Sequence, residues 1–221
     1  MKGYVIHLPK SKLSVDIATE TKKDLESLGI EISLFNGCDK YDVWQEFIDG
    51  NFKINDITRF GGGFVDSEIA TFISHYRLWN KCIELDTPIF IFEHDVELRY
   101  YSDNYFLKDI ESFNSDVLNL GSPNWGTRVW EGAGIQKREV HKYKEAKWLY
   151  GAHAYYLSPN GAQQLINDVK ARGILPADLF IRQEIVDIFD LLPHPFQQKK
   201  TFSLIQRHPI YKNQRVDDWD Y

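Results

Sequence analysis

Glu93 and Asp95 are the residues whose type and spacing most directly suggest chemistry. They stand one residue apart, straight after the apolar run Ile89 to Phe92. On an extended segment, side chains separated by one residue point the same way. Two hard oxygen donors on one side suit a hard divalent cation that also holds a diphosphate. The competing reading is a solvated acidic turn that closes a strand.

The elements that must position this pair come next. Ile89 to Phe92, β-branched and aromatic, reads as a strand buried on both faces, as at the centre of a parallel or mixed sheet. Acids just past the carboxyl end of such a strand lie where ligands bind in open α/β sheets. Tyr4 to Leu8 reads as a first strand, residues 14–28 as a helix stopped by Gly29, and residues 31–35 as a second strand. That is a βαβ unit with a parallel pair, and its first loop belongs to the ligand edge. Lys10 and Lys12 in that loop are either phosphate contacts or solvated lysines.

Residues 66–85 form the clearest helix, with Asp66 as cap and Glu68 in the first turn. Ile69, Phe72, Ile73, Tyr76 and Ile83 share one face. His75 lies on the flank of that face beside Trp79, with Glu68 on the same flank. Such a flank can line the site, although a structural hydrogen-bonding role for His75 is the plainer reading. Residues 41–48 read as a short helix, 104–113 as another, and 116–120 and 148–157 as strands. Ser158 and Pro159 open a helix that buries Ala162, Leu165, Ile166 and Val169 and ends at Gly173. Asp178 follows in a loop, where it can cap a short helix; 184–192 is a helix end or a strand. The Gly61 to Gly63 run matches neither a Walker loop nor a dinucleotide fingerprint and reads as a plain loop. Residues 124–147 read as an irregular excursion with tryptophans, lysines and an arginine, and the tail starts near Pro193. Such an excursion suits an acceptor with sugar rings and anionic groups, a single-stranded nucleic acid, or a solvated lysine-rich face.

Composition narrows the classes. A chain of 221 residues with 43% hydrophobic and 14% aromatic content supports one α/β domain with a proper core, not general disorder. A net charge of −6 argues against a nucleic-acid binder. Cys38 and Cys82 have no metal-ligand spacing and read as free thiols of a reducing compartment. No run is long enough to span a bilayer and no signal peptide is evident, so the expectation is a soluble cytoplasmic protein.

Three blocks, in order and spacing, resemble glycosyltransferase family 25, which includes lipopolysaccharide and lipooligosaccharide galactosyltransferases and collagen hydroxylysine galactosyltransferases. The first runs from Ser67 to Trp79 and resembles the family's Gly-Glu-Ile-Gly-Cys-x-x-Ser-His-x-x-x-Trp helix. The second runs from Ile89 to Leu98 and resembles its Ile-x-Ile-x-Glu-Asp-Asp-Val strand. The third runs from Gly151 to Ala162 and resembles its Gly-Thr-x-x-Tyr-x-Ile-Ser-x-x-Gly-Ala segment. The likeness covers the chain from about Tyr4 to Ile205.

The resemblance implies a single GT-A-type α/β domain over residues 1–221, with a Rossmann-like mixed, mostly parallel sheet flanked by helices. It implies transfer of galactose or glucose, with inversion, from a UDP-sugar to a hydroxyl of a lipopolysaccharide, a lipid-linked glycan or another glycan. Mn(II) or Mg(II) would be held by Asp95, with Glu93 on metal or ribose and His208 or His153 as a further ligand. His7, Ser74 and His75 would contact the donor, and Asp178 would be the base. Two departures stand out. His94 replaces the central acid of the family's Glu-Asp-Asp, and Pro9 to Lys12 replaces the usual arginines after the first strand. His94 motivates one alternative, a non-catalytic sugar-nucleotide or glycan binder. The Lys137 to Lys147 stretch motivates another, a transferase acting on hydroxylated bases in nucleic acid.

Overall fold

The computed structural model describes residues 1–55, 65–99, 105–111, 113–122, 139–142, 148–149 and 151–199. The chain begins as a strand–helix–strand unit, β1 (Lys2–His7), α1 (Lys12–Ser27) and β2 (Glu31–Asn36). There follow α2 (Val43–Asp49), α3 (Asp66–Leu85), β3 (Ile89–Glu93), β4 (Val96–Leu98), α4 (Tyr105–Glu111) and β5 (Val117–Asn119). The last elements are β6 (Glu139–Lys142), β7 (Ala154–Leu157), α5 (Pro159–Arg172), α6 (Ala177–Phe180), β8 (Ile188–Leu192) and β9 (Phe196–Gln198).

Alternation along β3 sets the layers. Ile89 and Ile91 join a core with Ile69, Phe72 and Trp79 of α3 and Leu165 and Ile166 of α5. Phe90 and Phe92 join the opposite core with Ala18 and Leu25 of α1 and Phe106 and Ile110 of α4. All four strand residues are fully buried, as the unbroken apolar run predicts. The sheet has the order β2-β1-β3-β7-β5-β8-β6, and β4 with β9 makes a separate two-stranded sheet. β1 is parallel to β2 and β3, and β5 is parallel to β8. β7 is antiparallel to both β3 and β5, and β6 is antiparallel to β8. The result is the expected mixed, mostly parallel α/β sheet between helical layers.

Several local expectations change. α3 keeps its bounds, but its N-cap is Val65, whose amide donates to Glu68 Oε2 at 3.0 Å. Valine has no side-chain acceptor, so this is half of a capping box. Asp66 instead accepts from the Trp44 indole at 3.2 Å, which ties α2 to the start of α3. The strand expected over 148–157 is only β7, because Gly151 at φ +100° turns the chain and Trp148 makes an isolated bridge to Arg182. The excursion is not wholly irregular, since residues 139–142 form the edge strand β6. Nor is the tail from Pro193 a plain tail, because β9 returns to pair with β4. α5 starts and stops as read, with Ser158 Oγ accepting from the Gly161 amide at 3.0 Å and Gly173 at φ +83°. Among the described residues, no helix is long and apolar enough to cross a membrane.

Candidate active site

The strand directions bring the chemistry to one edge. β1, β3, β5 and β8 share a direction, so their carboxyl ends open together, and antiparallel β7 begins there. His7 closes β1, Glu93 closes β3, Gly121 and Ser122 follow β5, His153 precedes β7 and His194 follows β8. With His75 and His94, this gathers five of the chain's seven histidines on the Glu93 edge.

Glu93 is the centre. Its amide donates to the His153 carbonyl at 2.9 Å. One carboxylate oxygen lies 3.6 Å from His75 Nε2, and the other accepts from Gln198 Nε2 at 3.3 Å. Burial by itself would raise the Glu93 pKa, but the facing His75 first, then the neighbouring His153 and His94 imidazoles, outweigh it and hold the carboxyl below its ordinary value. At 3.6 Å the His75 contact is longer than a hydrogen bond.

His75 sits at the centre of a buried aromatic cluster. Its Nδ1 is 2.9 Å from Tyr155 Oη, and Tyr155 Oη accepts from Trp79 Nε1 at 2.9 Å. All three side chains are fully buried. Trp79 also stacks on Phe180 at 5.7 Å, which anchors α6 and therefore Asp178 to the same helix. An aromatic pair of this kind contributes about 0.5–1.5 kcal/mol beyond its buried area.

The other expected residues are placed as follows. The chain between Glu93 and Asp95 is not one extended segment: β3 ends at Glu93 and a turn at His94 and Asp95 leads into β4. The same-side argument from strand alternation therefore stops at that turn. Asp95 is buried on this edge, and its carbonyl accepts from the Lys199 amide at 2.7 Å. His94 is half-buried, and Thr21 Oγ1 donates to its carbonyl at 2.7 Å. Burial lowers the His94 pKa, the Glu93 charge opposes that, and the His7 and Lys199 charges reinforce it. An uncharged imidazole thus stands where the family pattern has an acid. His7 is buried, and burial lowers its pKa against the pull of Asn36.

Ser74 is not at the surface of the site. It is 2% exposed, donates to the Ala70 carbonyl at 2.7 Å and accepts from the Cys38 amide at 2.9 Å. These two bonds pin the loop after β2 onto α3.

His153 is held by the closest backbone approach in the site. A Cβ on Gly121 would lie 2.6 Å from the Gly151 carbonyl oxygen and 2.7 Å from His153 Nε2. Glycine at both positions lets the two loops meet with the imidazole wedged beside them. Burial drives the His153 pKa down to about 4 against the pull of Glu93, with the His194 charge adding to the fall. His194 pairs with Asp190 at 2.9 Å, and Asn119 Nδ2 donates to the same carboxylate oxygen at 2.9 Å.

Asp178 lies in the first turn of α6, whose N-cap is Pro176, so it does not occupy the cap position. Asp178 is exposed to solvent, while its neighbours Ala177 and Phe180 are buried. Burial first, then the Glu93 and Glu68 charges, push its pKa up to about 6, while its own amide and that of Leu179 pull it down. Glu93 and Asp178 therefore influence each other electrostatically.

Lys10 and Lys12 are engaged by Asp42 and Asp16 on the surface. Cys38 and Cys82 are buried free thiols with pKa values pushed up to about 12, mainly by burial, which leaves them unreactive. His208, the Gly61 to Gly63 run and most of the 124–147 stretch lie outside the described residues. Among the described residues, no group of three or more His, Cys, Asp or Glu side chains is arranged to hold a metal ion. The residues that sequence reasoning left without a role are Tyr155, Gln198, Asp190 and His194. Tyr155 carried a signal, since it is the tyrosine of the third block.

The molecule is thus an open-sheet α/β protein with an imidazole-lined carboxylate at its ligand edge. The chain matches the model of glycosyltransferase family 25 (LPS biosynthesis protein) over residues 1–181, and it belongs to that family. It is 22% identical to a glycosyltransferase 25 family member of Aedes aegypti, over 82% of this chain and 33% of that one. It is 24% identical to procollagen galactosyltransferase 1 of Danio rerio, over 55% of this chain and 20% of that one. It is 47% identical over 45 residues to lipooligosaccharide biosynthesis protein lic2B of Haemophilus influenzae, covering 20% of this chain and 17% of that one. The alignment to the Aedes relative spans only a third of that protein's length. The family match stops at residue 181, so Asp190, His194 and Gln198 join the site from beyond it.

Proposed function

We propose that this protein is a metal-dependent, inverting hexosyltransferase that moves a sugar, galactose or glucose, from a UDP-sugar to a hydroxyl of a glycan. The observation that supports this reading is the gathering of Glu93, His75 and His153 at the carboxyl edge of the sheet, with Phe180 of the helix that bears Asp178 stacked on Trp79 of α3. A donor held at Glu93 and an acceptor held at Asp178 would then meet in one cleft. Asp178 takes the proton from the acceptor hydroxyl, and the oxygen attacks the anomeric carbon from the face opposite the diphosphate. The bond from that carbon to the phosphate oxygen breaks, and UDP leaves with the electron pair. Its raised pKa suits a group that must accept a proton near neutrality.

A cation of the Mg(II) or Mn(II) kind is held by one or two carboxylates together with substrate phosphates, and Glu93 and Asp95 are carboxylates of that type at the carboxyl end of β3. Asp95 would hold it with Glu93 alongside, and His208 remains a candidate further ligand. When bound, such an ion neutralises charge on the departing diphosphate. His7 and His75 line the donor side. The galactosyltransferase and lipooligosaccharide names of two relatives support galactose as donor sugar and a lipopolysaccharide-type or lipid-linked acceptor. Two buried free thiols fit a cytoplasmic, reducing setting.

The test is a panel of UDP-sugars with Mn(II), scored for slow hydrolysis without acceptor and transfer with it. Turnover of one UDP-hexose that is lost on chelation and in Asp95→Ala supports the reading; a UDP thermal shift indifferent to metal and to Asp95→Ala would refute the metal role. His94 favours a second reading, binding without turnover. There, His94→Asp would raise activity from nothing, and measurable turnover in the parent protein would end it.

A further inference from the structure

We infer that Tyr155 and Trp79 are positioning residues: a buried hydrogen-bond relay from Trp79 through Tyr155 holds His75 in the Nε2–H tautomer and aims that N–H at the Glu93 carboxylate. This deepens the proposed function, because it names what orients the carboxylate offered to the metal or the ribose of the donor.

The direction of each bond follows from the donor inventory. An indole N–H only donates, so Trp79 fills a lone pair of Tyr155 Oη at 2.9 Å. Tyr155 has one hydroxyl hydrogen, and His75 Nδ1 lies 2.9 Å away. If Tyr155 donates to Nδ1, the indole N–H, the hydroxyl and Nδ1 are all satisfied and the ring's hydrogen sits on Nε2, facing Glu93 at 3.6 Å. In the other tautomer, Nδ1–H would donate to Tyr155, and the Nε2 lone pair would face a carboxylate, lone pair against negative charge. Burial pushes the Tyr155 pKa upward, so the hydroxyl keeps its proton.

The relay is rigid because of where its members come from. Trp79 and His75 lie one turn apart on α3, Tyr155 lies on β7, and Glu93 lies on the neighbouring β3. The His75 and Tyr155 rings stack at 5.7 Å and 16°. His75, Trp79 and Tyr155 are each 0% exposed, so water cannot substitute for a missing partner. His75 Nε2 is buried without a hydrogen-bond partner among the described residues, and small motions of the 26%-exposed Glu93 side chain can close the gap. The four members come from all three sequence blocks, which are otherwise separate in the chain.

Two measurements on the full chain test this. The first is a long-range proton–nitrogen NMR spectrum of histidine-labelled protein, with His75 assigned by loss of its signals in His75→Gln. The expected result is a protonated Nε2 and a bare Nδ1; a protonated Nδ1, as the other tautomer or as imidazolium, would overturn the relay. The second is titration with UDP and Mn(II). Tyr155→Phe should weaken UDP binding roughly tenfold, as loss of an outer partner does elsewhere. Tyr156→Phe, the same deletion on the other face of β7, should leave it unchanged. Equal UDP affinity in the two variants would also overturn the relay. If the parent protein binds no UDP, the proposed function falls and the NMR result alone decides the relay. The NMR arm uses the parent protein and so stands even if Tyr155→Phe fails to fold.

Discussion

The two edges of the main sheet are made from the same strands and have opposite chemistry. At the carboxyl edge, Glu93, Asp95 and several imidazoles come together, with Gln198 donating to Glu93 and Tyr155 bonded to His75. At the amino edge lies a cavity of about 540 Å³, lined by residues such as Met1, Ile30, Pro88, Leu107, Ile110 and Tyr156. That cavity lies at the end of the strands away from Glu93 and its imidazoles. Convergent polar groups with displaced pKa values mark the other one, and that is the stronger criterion for a catalytic site.

The sharpest way to break this contrast is at Asp178. Asp178→Asn should lower kcat by about 10²–10⁴-fold while UDP affinity stays near that of the parent, measured by steady-state kinetics and titration. A loss confined to KM would remove Asp178 from the base role. Next comes the glycine contact under His153. At φ +100°, an alanine at Gly151 would place its Cβ 2.5 Å from the Gly121 carbonyl oxygen. Gly151→Ala should cost about 2–3 kcal/mol in denaturant unfolding, from backbone strain and steric overlap together. A neutral result would show that the two loops can part.

The pH profile gives a third, smaller effect. Asp178 is a base only when ionised, and its pKa is raised to about 6, so kcat should climb as pH rises through that value and level off above it. Asp178→Asn should abolish that limb of the residual activity. Stability carries the opposite sign: the folded state binds the Asp178 proton more tightly than the unfolded chain, so this group's contribution declines as pH rises toward 6. The mildest change belongs to the amino edge. Leu107→Gln should lower stability by about 1 kcal/mol and leave kcat/KM unchanged. A selective loss of activity there would mean that the two edges communicate.

Much of the scaffold was legible because its signals are local. The unbroken run Ile89 to Phe92, the glycine stops at Gly29 and Gly173 and the Ser158–Pro159 start each act within one or two turns of chain. The position of His75 beside Trp79 followed from helical spacing. Tyr155, their partner in the relay, did not, because the His75–Tyr155 bond joins residues 80 apart. Gln198 reaches Glu93 from 105 residues away through the β9 return, which nothing in its own composition announces. The turn at His94 and Asp95 escaped detection for a related reason: what pins it is outside it, with Thr21 donating to the His94 carbonyl and Lys199 to that of Asp95.

Read alone, the amino acids determined the layer pattern, the family likeness and the edge on which the acids must lie, because periodicity and capping are short-range effects. Tertiary structure alone decided that Ser74 braces the loop after β2 against α3, that the Glu93 charge acts on Asp178, and that Trp79 and Tyr155 converge on one hydroxyl beside His75. Hydrogen-bond partners and electrostatic neighbours are set by which strands lie side by side. Here β7 enters between β3 and β5 against their direction, and that placement brings Tyr155 and His153 to Glu93.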